Sequence, residues 1–314
     1  MTAAVRRCSA TKHSLFGIDY MNDTVVALGF FDGVHIGHRH ILKTAAKIAK
    51  EKNCRSAACT FSVHPRAFVR GIAPAMLTTL EERKRLILEQ GIERVEVLEF
   101  DKNMSDMSPD DFVNLLKERY GCIAAVCGDN FRFGKNAQGN ADTLRRCGIE
   151  TTVCSPVDFG DEMVSSTRIR RMITEGRMQG AGALLGRNFV LTGTVVDGFK
   201  LGRRLGKPTM NLRPDDGLII PATGVYASRV LLGDEAFFAI TNIGTRPTFS
   251  NDDIVSVESH IMDFCRDIYG ERAAVELVQK VRDERRFDSE TELVRQIDKD
   301  MAQARLILSQ EYGG

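Results

Sequence analysis

The 314-residue sequence has almost no net charge, no long apolar run and no C-x-x-C cysteine pair. Its 43 basic and 42 acidic residues leave a formal charge of +1, which argues against a protein that wraps nucleic acid or anchors to membranes through a basic segment. No stretch approaches the roughly 18 consecutive apolar residues of a spanning helix. The first 17 residues, MTAAVRRCSATKHSLFG, lack an apolar core, so we expect no secretory signal and a cytoplasmic location.

The eight cysteines do not predict disulfides or a structural zinc site. They form no C-x-x-C motif, and several lie inside apolar runs such as CIAAVC. Free thiols in a reducing compartment are therefore expected. A hydrophobic fraction of 43% and a charged fraction of 27% are ordinary for a globular protein. The length suits two domains of about 150 residues each.

The sequence from Val25 to Asn53 predicts a strand, a glycine-containing turn and a helix. The run VVAL indicates a strand buried on both faces, and HILKTAAKIAKEKN has helical apolar spacing. This arrangement aims backbone N–H groups and a helix dipole at an anion. His35 and His38 flank Gly37 at the helix start, where glycine lets a phosphate approach the backbone. A simple helix cap is the alternative, and the coincidence of these features favours a phosphate site.

Further along the chain, four more apolar runs alternate with helical patterns, which predicts an open parallel α/β sheet of five strands. Ligands of such sheets bind beyond the carboxyl ends of the strands. Four loops fall at that edge: GFFDGVHIGH, SVHPRAF, GDNFRFG and SSTRIR. In the last of these, Ser165, Ser166 and Thr167 open a helix that carries Arg168, which favours a second phosphate clamp over a solvated basic helix.

The pattern changes near Gly186. Beyond it, β-rich runs are separated by turn residues without intervening helices, which predicts an antiparallel sheet or small barrel. The chain then ends in a helix opened by a capping pair, Ser289 and Glu292. We therefore expect domains at 1–186 and 187–314. The loop in GTVVDGFKLGRRLGKPTMNL is rich in glycine and cationic side chains, which suits phosphate, although it is not a Walker A sequence.

Two groups of motifs carry a family resemblance. The string from Gly29 to His38 resembles the signature of the nucleotidyltransferase superfamily, and GDNFRFG resembles a segment of its flavin adenylyltransferase branch. Downstream, PTMN, PATGVY, NIGTRPT and VESH occur in an order that resembles the riboflavin kinase domain. From about Val25 to about Asp300 the chain is similar to the prokaryotic bifunctional riboflavin kinase/FAD synthetase family.

The resemblance implies a Rossmann-like α/β nucleotidyltransferase domain followed by a riboflavin kinase β-barrel. It also implies that riboflavin and ATP give FMN, and that FMN and ATP give FAD, with Mg²⁺ as cofactor. The expected partners are thus riboflavin, FMN, FAD and ATP, with no nucleic acid and no membrane, and the expected state is a monomer or weak homo-oligomer.

The same resemblance assigns roles to residues of this sequence. Catalysis falls to Glu258, His35, His38 and Arg168. ATP binding falls to Gly29, Phe30, Asp32, Gly37, Ser165, Ser166, Thr167, Gly198, Gly202, Arg203 and Gly206. Flavin binding falls to Ser62, Asp129, Asn130, Phe131, Arg132, Phe133 and Arg282, and the metal falls to Thr209 and Asn211.

The chain departs from the family pattern at three positions. Ser62 replaces a longer polar or acidic residue, Lys207 replaces phenylalanine, and Met210 replaces alanine between the two metal residues. We expect Met210 to add bulk beside those residues and the changes to alter flavin or ATP affinity. The alternatives are a kinase fused to a nucleotidyltransferase of another substrate, and a flavin-nucleotide sensor with weak turnover.

Overall fold

The computed structural model describes residues 23–197, 209–246 and 254–313. Its first half is built on a parallel sheet of the strands β1 (Thr24–Leu28), β2 (Arg55–Phe61), β3 (Arg94–Leu98), β4 (Cys122–Gly128) and β5 (Glu150–Cys154). The strand order is β3-β2-β1-β4-β5, and the neighbouring strands are parallel. The order reverses at β1, so a crevice opens where the carboxyl ends of β1 and β4 diverge. The predicted five-stranded parallel sheet is confirmed.

Helices cover both faces of this sheet. They are α1 (Ile36–Lys52), α2 (Pro65–Arg70), α3 (Leu80–Leu88), α4 (Lys102–Asp106), α5 (Pro109–Tyr120), α6 (Ala141–Arg146), α7 (Ser166–Thr174) and α8 (Met178–Leu185). A short hairpin, β6 (Asp158–Phe159) and β7 (Glu162–Met163), precedes α7. Alternate residues of β1 enter different buried clusters, Val26 on one face and Val25 on the other. This explains why the strand is apolar throughout.

The second half closes into a barrel. Its strands are β8 (Phe189–Val196), β9 (Met210–Pro214), β10 (Gly224–Leu232), β11 (Glu235–Arg246), β12 (Ile254–Ile261) and β13 (Arg272–Arg282), in the order β10-β11-β12-β9-β8-β13. All of these pairs are antiparallel. The sequence interpretation missed β9, whose few residues carry no pattern of their own. Helix α9 (Glu290–Tyr312) packs on the outer face of the barrel.

The two halves pack directly against each other. Helices α7 and α8 share one buried cluster with the barrel interior, where Ile173 and Leu184 join Phe189 and Leu277. Backbone bonds also cross the junction, and one is from the Ala222 N–H to the Ile173 carbonyl at 3.2 Å. Across the described ranges, no helix has both the length and the apolar character needed to cross a membrane.

Candidate active sites

The turn that follows β1 has an uncommon backbone. Phe31, Gly33 and Val34 have φ angles of 58°, 78° and 40°, all in the left-handed region. Gly33 suits this conformation, since a Cβ there would lie 2.7 Å from the Leu77 side chain. Phe31 and Val34 are fully buried, and a β-branched residue is rare at positive φ. Such conformations cost about 1–3 kcal/mol each, so tertiary contacts must hold the turn in place.

A buried arginine fixes one end of this turn. Arg83 is only 1% exposed, and it donates to the carbonyl oxygens of Phe30 at 3.1 Å and Phe61 at 2.8 Å. Its guanidinium also lies over the Phe30 ring, 4.3 Å from the centroid. Burial lowers the pKa of Arg83 to about 10, which leaves it charged at neutral pH. Arg83 therefore joins the ends of β1 and β2 beneath the crevice.

Three further carbonyl groups of the turn accept hydrogen bonds from other side chains. These contacts are the Ser166 hydroxyl to the Asp32 carbonyl at 3.1 Å, Arg187 to Gly33 at 2.8 Å and Arg39 to Val34 at 3.2 Å. The turn leads directly into α1, where the N–H groups of Ile36 and Gly37 have no partner within the helix. The arrangement can bind an anion.

His35 and His38 form a stacked pair at the start of α1. Their ring centroids are 3.6 Å apart with an interplanar angle of 18°. The Nδ1 of His35 accepts a hydrogen bond from the backbone N–H of His38 at 3.2 Å, so the proton of a neutral His35 ring is on Nε2. Burial is the main cause that lowers the pKa of His35 to about 4, and the positive charges of Arg187 and Arg170 lower it to a smaller extent. Burial also lowers the pKa of His38 well below its usual value.

Asp32 is an internal anchor of the turn. Its carboxylate, 2% exposed, accepts hydrogen bonds from the N–H groups of Leu77 at 3.0 Å and Thr78 at 3.3 Å, and it pairs with Arg170. Burial raises the pKa of this carboxyl, and Arg170 with the N–H groups opposes the rise. The side chain therefore ties the turn to α7. A contact between Asp32 and ATP remains a prediction.

The start of α7 lies against the same turn. Ser165 caps the helix by accepting from the N–H of Arg168 at 3.2 Å, and Ser166 reaches the turn as described. Thr167 is exposed. The guanidinium of Arg168 donates to the Glu162 carbonyl at 2.7 Å and lies 3.1 Å from the Glu162 carboxylate, within the β6–β7 hairpin. The structure thus brings Ser166 to the histidine turn and holds Arg168 beside the hairpin.

A cavity of about 480 Å³ adjoins the turn. It begins at Leu28 and Gly29, and its other walls are mainly apolar. The aromatic rings that line it are Phe61, Phe100, Phe112, Phe131 and Phe133. This volume and lining suit a planar aromatic ligand, since small-molecule sites are typically about 300–1,000 Å³ and mostly apolar.

The predicted flavin segment divides between this cavity and its rim. Phe131, Arg132 and Phe133 line the cavity, and the two phenylalanine rings stack at 5.6 Å. Asp129 and Asn130 are exposed at the end of β4. Ser62, which follows β2, donates its backbone N–H to the Leu98 carbonyl at 3.0 Å.

The barrel carries a row of five opposed residues, four of them polar, across adjacent strands. Register places Arg282 opposite Val225, Val225 opposite Asn242, Asn242 opposite Glu258, and Glu258 opposite Asn211. Cβ atoms of directly opposed residues are about 4.5–5.5 Å apart. The row therefore gathers three of the predicted kinase residues, although 71 positions separate Asn211 from Arg282 in the sequence.

The members of this row lie on the outer face of the barrel. Val257 and Ser259 are buried inside it, so Glu258 between them lies on the opposite face. By the same alternation, Met210 is 5% exposed and belongs to the interior cluster, whereas Asn211 is on the outer face. The expectation that Met210 adds bulk beside the metal residues is therefore wrong, because its side chain occupies the barrel core.

Arg282 is held by a buried carboxylate. Its Nε donates to Asp300 of α9 at 2.9 Å, and Asp300 is 1% exposed. Gln296 donates to the other oxygen of Asp300 at 2.7 Å. Thr209 directly precedes β9 and is half-buried. The predicted ATP residues Gly198, Gly202, Arg203 and Gly206, and also Lys207, lie outside the described residues.

Sequence reasoning missed Arg83, Arg187 and Asn242. Arg83 stands in EERKRLILEQ among other charged residues, where nothing marks it as buried. Arg187 stands at the predicted domain boundary, where no motif points to it. Asn242 belongs to one of the kinase motifs, and its place opposite Glu258 could have been found only by pairing the strands.

Comparison with family models divides the chain into two matches. Residues 18–168 match the family model of FAD synthetase, and residues 185–308 match that of riboflavin kinase. Both matches concern flavins, so the alternative of a nucleotidyltransferase for another substrate is not favoured.

Curated relatives and a solved structure extend over most of the chain. Bifunctional riboflavin kinase/FMN adenylyltransferases are 36% identical over 88% of this chain and 90% of the relative in Listeria monocytogenes, and 34% identical over 90% and 91% in Bacillus subtilis. A crystal structure from Streptococcus pneumoniae, described as a macrolide-efflux protein, is 31% identical with a TM-score of 0.85 over 90% of this chain and 94% of that one. That description applies to the pneumococcal protein alone. With both halves matched and 88–90% of the chain aligned to these relatives, this chain belongs to the family of bifunctional riboflavin kinases/FMN adenylyltransferases.

Proposed function

We propose that this chain performs two successive ATP-dependent reactions, one in each half. The barrel half, 187–314, transfers the γ-phosphoryl group of ATP to the 5′-hydroxyl of riboflavin and forms FMN. The parallel-sheet half, 1–186, joins FMN to the α-phosphorus of ATP, which forms FAD and releases pyrophosphate. One observation carries the proposal for the first half: Gly29, the first residue after β1 and the start of the histidine turn, also lines the aromatic cavity. A flavin in the cavity would therefore end next to a nucleotide on the turn.

Positioning and charge stabilisation account for adenylyl transfer, because the protein has little covalent chemistry to perform. The isoalloxazine would lie among Phe131, Phe133 and the other rings of the cavity. The backbone N–H groups of Phe30 and Gly37 would bind the phosphates, whereas the N–H of Gly29 donates to the Cys59 carbonyl at 3.3 Å. A Cβ at position 37 would meet the His35 ring at 3.3 Å, so glycine leaves that approach open.

The stacked histidines would act as neutral hydrogen-bond donors. Their pKa values lie below the neutral range, so neither ring carries a charge at the pH of the cell. His35 has its proton on Nε2, available to a phosphate oxygen that gains charge in the transition state. Ser165, Ser166 and Thr167 at the start of α7 would hold the remaining phosphates, with Arg168 as the nearby positive charge.

Phosphoryl transfer in the barrel would depend on the polar row. Glu258 would accept the proton of the riboflavin 5′-hydroxyl as the oxygen attacks the γ-phosphorus. Asn211 and Asn242 flank Glu258 on either side and would orient the reacting groups. Arg282, held in place by Asp300, would contact the flavin.

The residues near this row fit a magnesium ion. Mg²⁺ prefers oxygen ligands and is usually bound by a few side chains together with substrate phosphates. Thr209 and Asn211, two positions apart at the start of β9, supply a hydroxyl and an amide oxygen. When bound, the ion neutralises phosphate charge. The glycine-rich loop that contains Gly198, Gly202, Arg203 and Gly206 would bind the nucleotide, by resemblance alone.

Incubation of the purified chain with riboflavin, ATP and Mg²⁺, followed by chromatography of the flavins, tests the proposal. We expect FMN to appear first and FAD to follow. FMN supplied in place of riboflavin should give FAD directly. A chain that binds flavins but forms neither product would support the sensor alternative, and a chain that forms FMN alone would remove the first half from its assigned reaction.

A further inference from the structure

The connection between the two halves is bound to the histidine turn. Arg187, the first residue of the barrel half by our boundary, donates from Nη1 to the carbonyl oxygen of Gly33 at 2.8 Å. Arg39 of α1 donates to the carbonyl oxygens of Val34 and Gly186, both at 3.2 Å. Two arginines thus link adjacent peptide groups of the turn to the junction.

The Gly33–Val34 peptide is the part of the turn that most needs support. Both residues are left-handed, and His35 follows immediately as the N-cap of α1. The carbonyl of this peptide, from Gly33, accepts from Arg187, and its N–H, from Val34, donates to the Phe31 carbonyl at 3.0 Å. These two bonds fix the orientation of one peptide plane from both sides. Without Arg187, that plane keeps only one of them.

The guanidinium of Arg187 lies in a buried environment next to the histidine turn. Its Nε is buried without a hydrogen-bond partner, and the buried Glu82 is the first cause that opposes the lowering of the Arg187 pKa by burial. Burial of a charged group is unfavourable unless hydrogen bonds or a nearby opposite charge compensate for the lost water. The bond to Gly33 is thus a charge-assisted one in a site of low polarity, where hydrogen bonds are strong.

We propose that Arg187 is a positioning residue of the adenylyl-transfer site, supplied by the barrel half. By holding the Gly33 carbonyl, Arg187 fixes the position of the His35 ring at the start of α1. The stacking of the two rings then fixes the position of the His38 ring. This inference rests on the proposed function, because it assigns the histidines to FAD formation. It also means that the first half needs a residue from across the junction to complete its site.

The competing explanation is that Arg187 only fastens the halves together. In that case its loss would lower the melting temperature and leave the turnover of the folded enzyme unchanged. A positioning role instead predicts a lower kcat for FAD formation in a chain that remains folded. The kinase reaction of the same molecule reports whether the barrel is intact, so each preparation carries its own control.

The experiment compares Arg187→Met, Arg187→Lys and the control Arg177→Met in the full-length chain. Methionine keeps the aliphatic stem and removes every donor, whereas lysine keeps a charge and a donor. Arg177 is a surface arginine, 52% exposed and paired with Glu175, on the connection between α7 and α8. Rates of FMN-to-FAD and riboflavin-to-FMN conversion are measured with a melting curve for each variant.

We expect Arg187→Met to lower kcat for FAD formation about ten- to a hundredfold, the range for losing a hydrogen bond from a charged donor. The KM for FMN should change by less than about threefold, because the cavity is untouched. Arg187→Lys should recover most of the lost rate, and Arg177→Met should match the unaltered chain. Kinase turnover should stay constant throughout.

The inference is overturned if folded Arg187→Met forms FAD with a kcat within about twofold of the unaltered chain. It is also overturned if kinase and FAD turnover fall together with the melting temperature, or if Arg187→Lys is as slow as Arg187→Met. An unaltered chain that makes no FAD from FMN would instead overturn the proposed function itself, so the two failures are distinguishable.

Discussion

The imidazole ring of His35 lies on that of His38 at a centroid distance of 3.6 Å, and both rings are held neutral by burial. Two cationic rings would repel each other strongly at this distance in a site of low polarity. Neutral rings can stack, and each retains one N–H donor. The pair therefore offers directed donors to a phosphate without the cost of burying two positive charges.

Replacement of either histidine should affect one reaction only. We expect His35→Ala and His38→Ala to lower FAD formation about a hundred- to a thousandfold, the usual cost of losing one preorganised donor to a developing charge. FMN formation from riboflavin should not change, because that reaction belongs to the barrel. His40→Ala is the matched control, since His40 is exposed on the same helix. A His35 or His38 variant with normal FAD formation would limit that residue to a structural role.

The assignment of Glu258 as proton acceptor can be separated from its place in the strand. Glutamine has nearly the same shape but cannot take a proton, so Glu258→Gln should lower FMN formation about a hundred- to ten-thousandfold. FMN-to-FAD conversion should stay normal. Glu235→Gln serves as the control, because Glu235 is exposed and pairs with Arg266. A folded Glu258→Gln chain whose kinase rate drops less than about tenfold would remove Glu258 from this role.

Filling the aromatic cavity should weaken flavin binding without disturbing the nucleotide. Ser105 of α4 lines the cavity, and Ser105→Phe places a ring inside it. We expect the KM for FMN to rise at least about tenfold, while the KM for ATP stays near its original value. Asn103→Phe adds the same ring at an exposed position of the same helix. Equal KM values for FMN in both variants would place the flavin elsewhere.

Glu82 predicts an unusual dependence of stability on pH. It is 9% exposed, its Oε2 has no hydrogen-bond partner, and burial raises its pKa from 4.5 to about 7. The folded chain thus holds this proton more tightly than the unfolded chain. The resulting stabilisation is complete below about pH 4.5 and is lost as the pH rises through about 7. A difference of this size corresponds to about 3 kcal/mol.

Glutamine at position 82 cannot ionise, so Glu82→Gln should gain stability relative to the unaltered chain between pH 5 and pH 8. Melting temperatures across this range measure the difference. Burial lowers the pKa of His35, which gives an opposite trend, but that contribution is common to both chains and cancels. Glu81→Gln, at an exposed neighbour paired with Lys84, should show no such trend. A constant difference between the Glu82→Gln and unaltered chains would show that Glu82 is not protonated on folding.

Local sequence determined much of the first half. The alternation of apolar runs and helical patterns gave the five parallel strands, because each element is stabilised by a periodicity that the chain itself carries. Helix starts were also readable: Ser165 and Ser289, both predicted to open helices, each accept a hydrogen bond from the N–H three residues on. These contacts span a single turn, so no distant part of the fold is needed to form them.

The sequence by itself also determined which residues could do chemistry, since the histidine turn and the kinase motifs are contiguous strings. Only the tertiary structure decided how they are held. No neighbouring residues in the sequence mark Arg83 and Arg187 as buried. They become buried donors because the fold brings carbonyl groups 53 and 154 positions away within hydrogen-bonding distance. Strand β9 and the row from Asn211 to Arg282 exist only through register between strands. Periodicity reports which face of an element is buried, whereas partners across the fold depend on packing that no local pattern encodes.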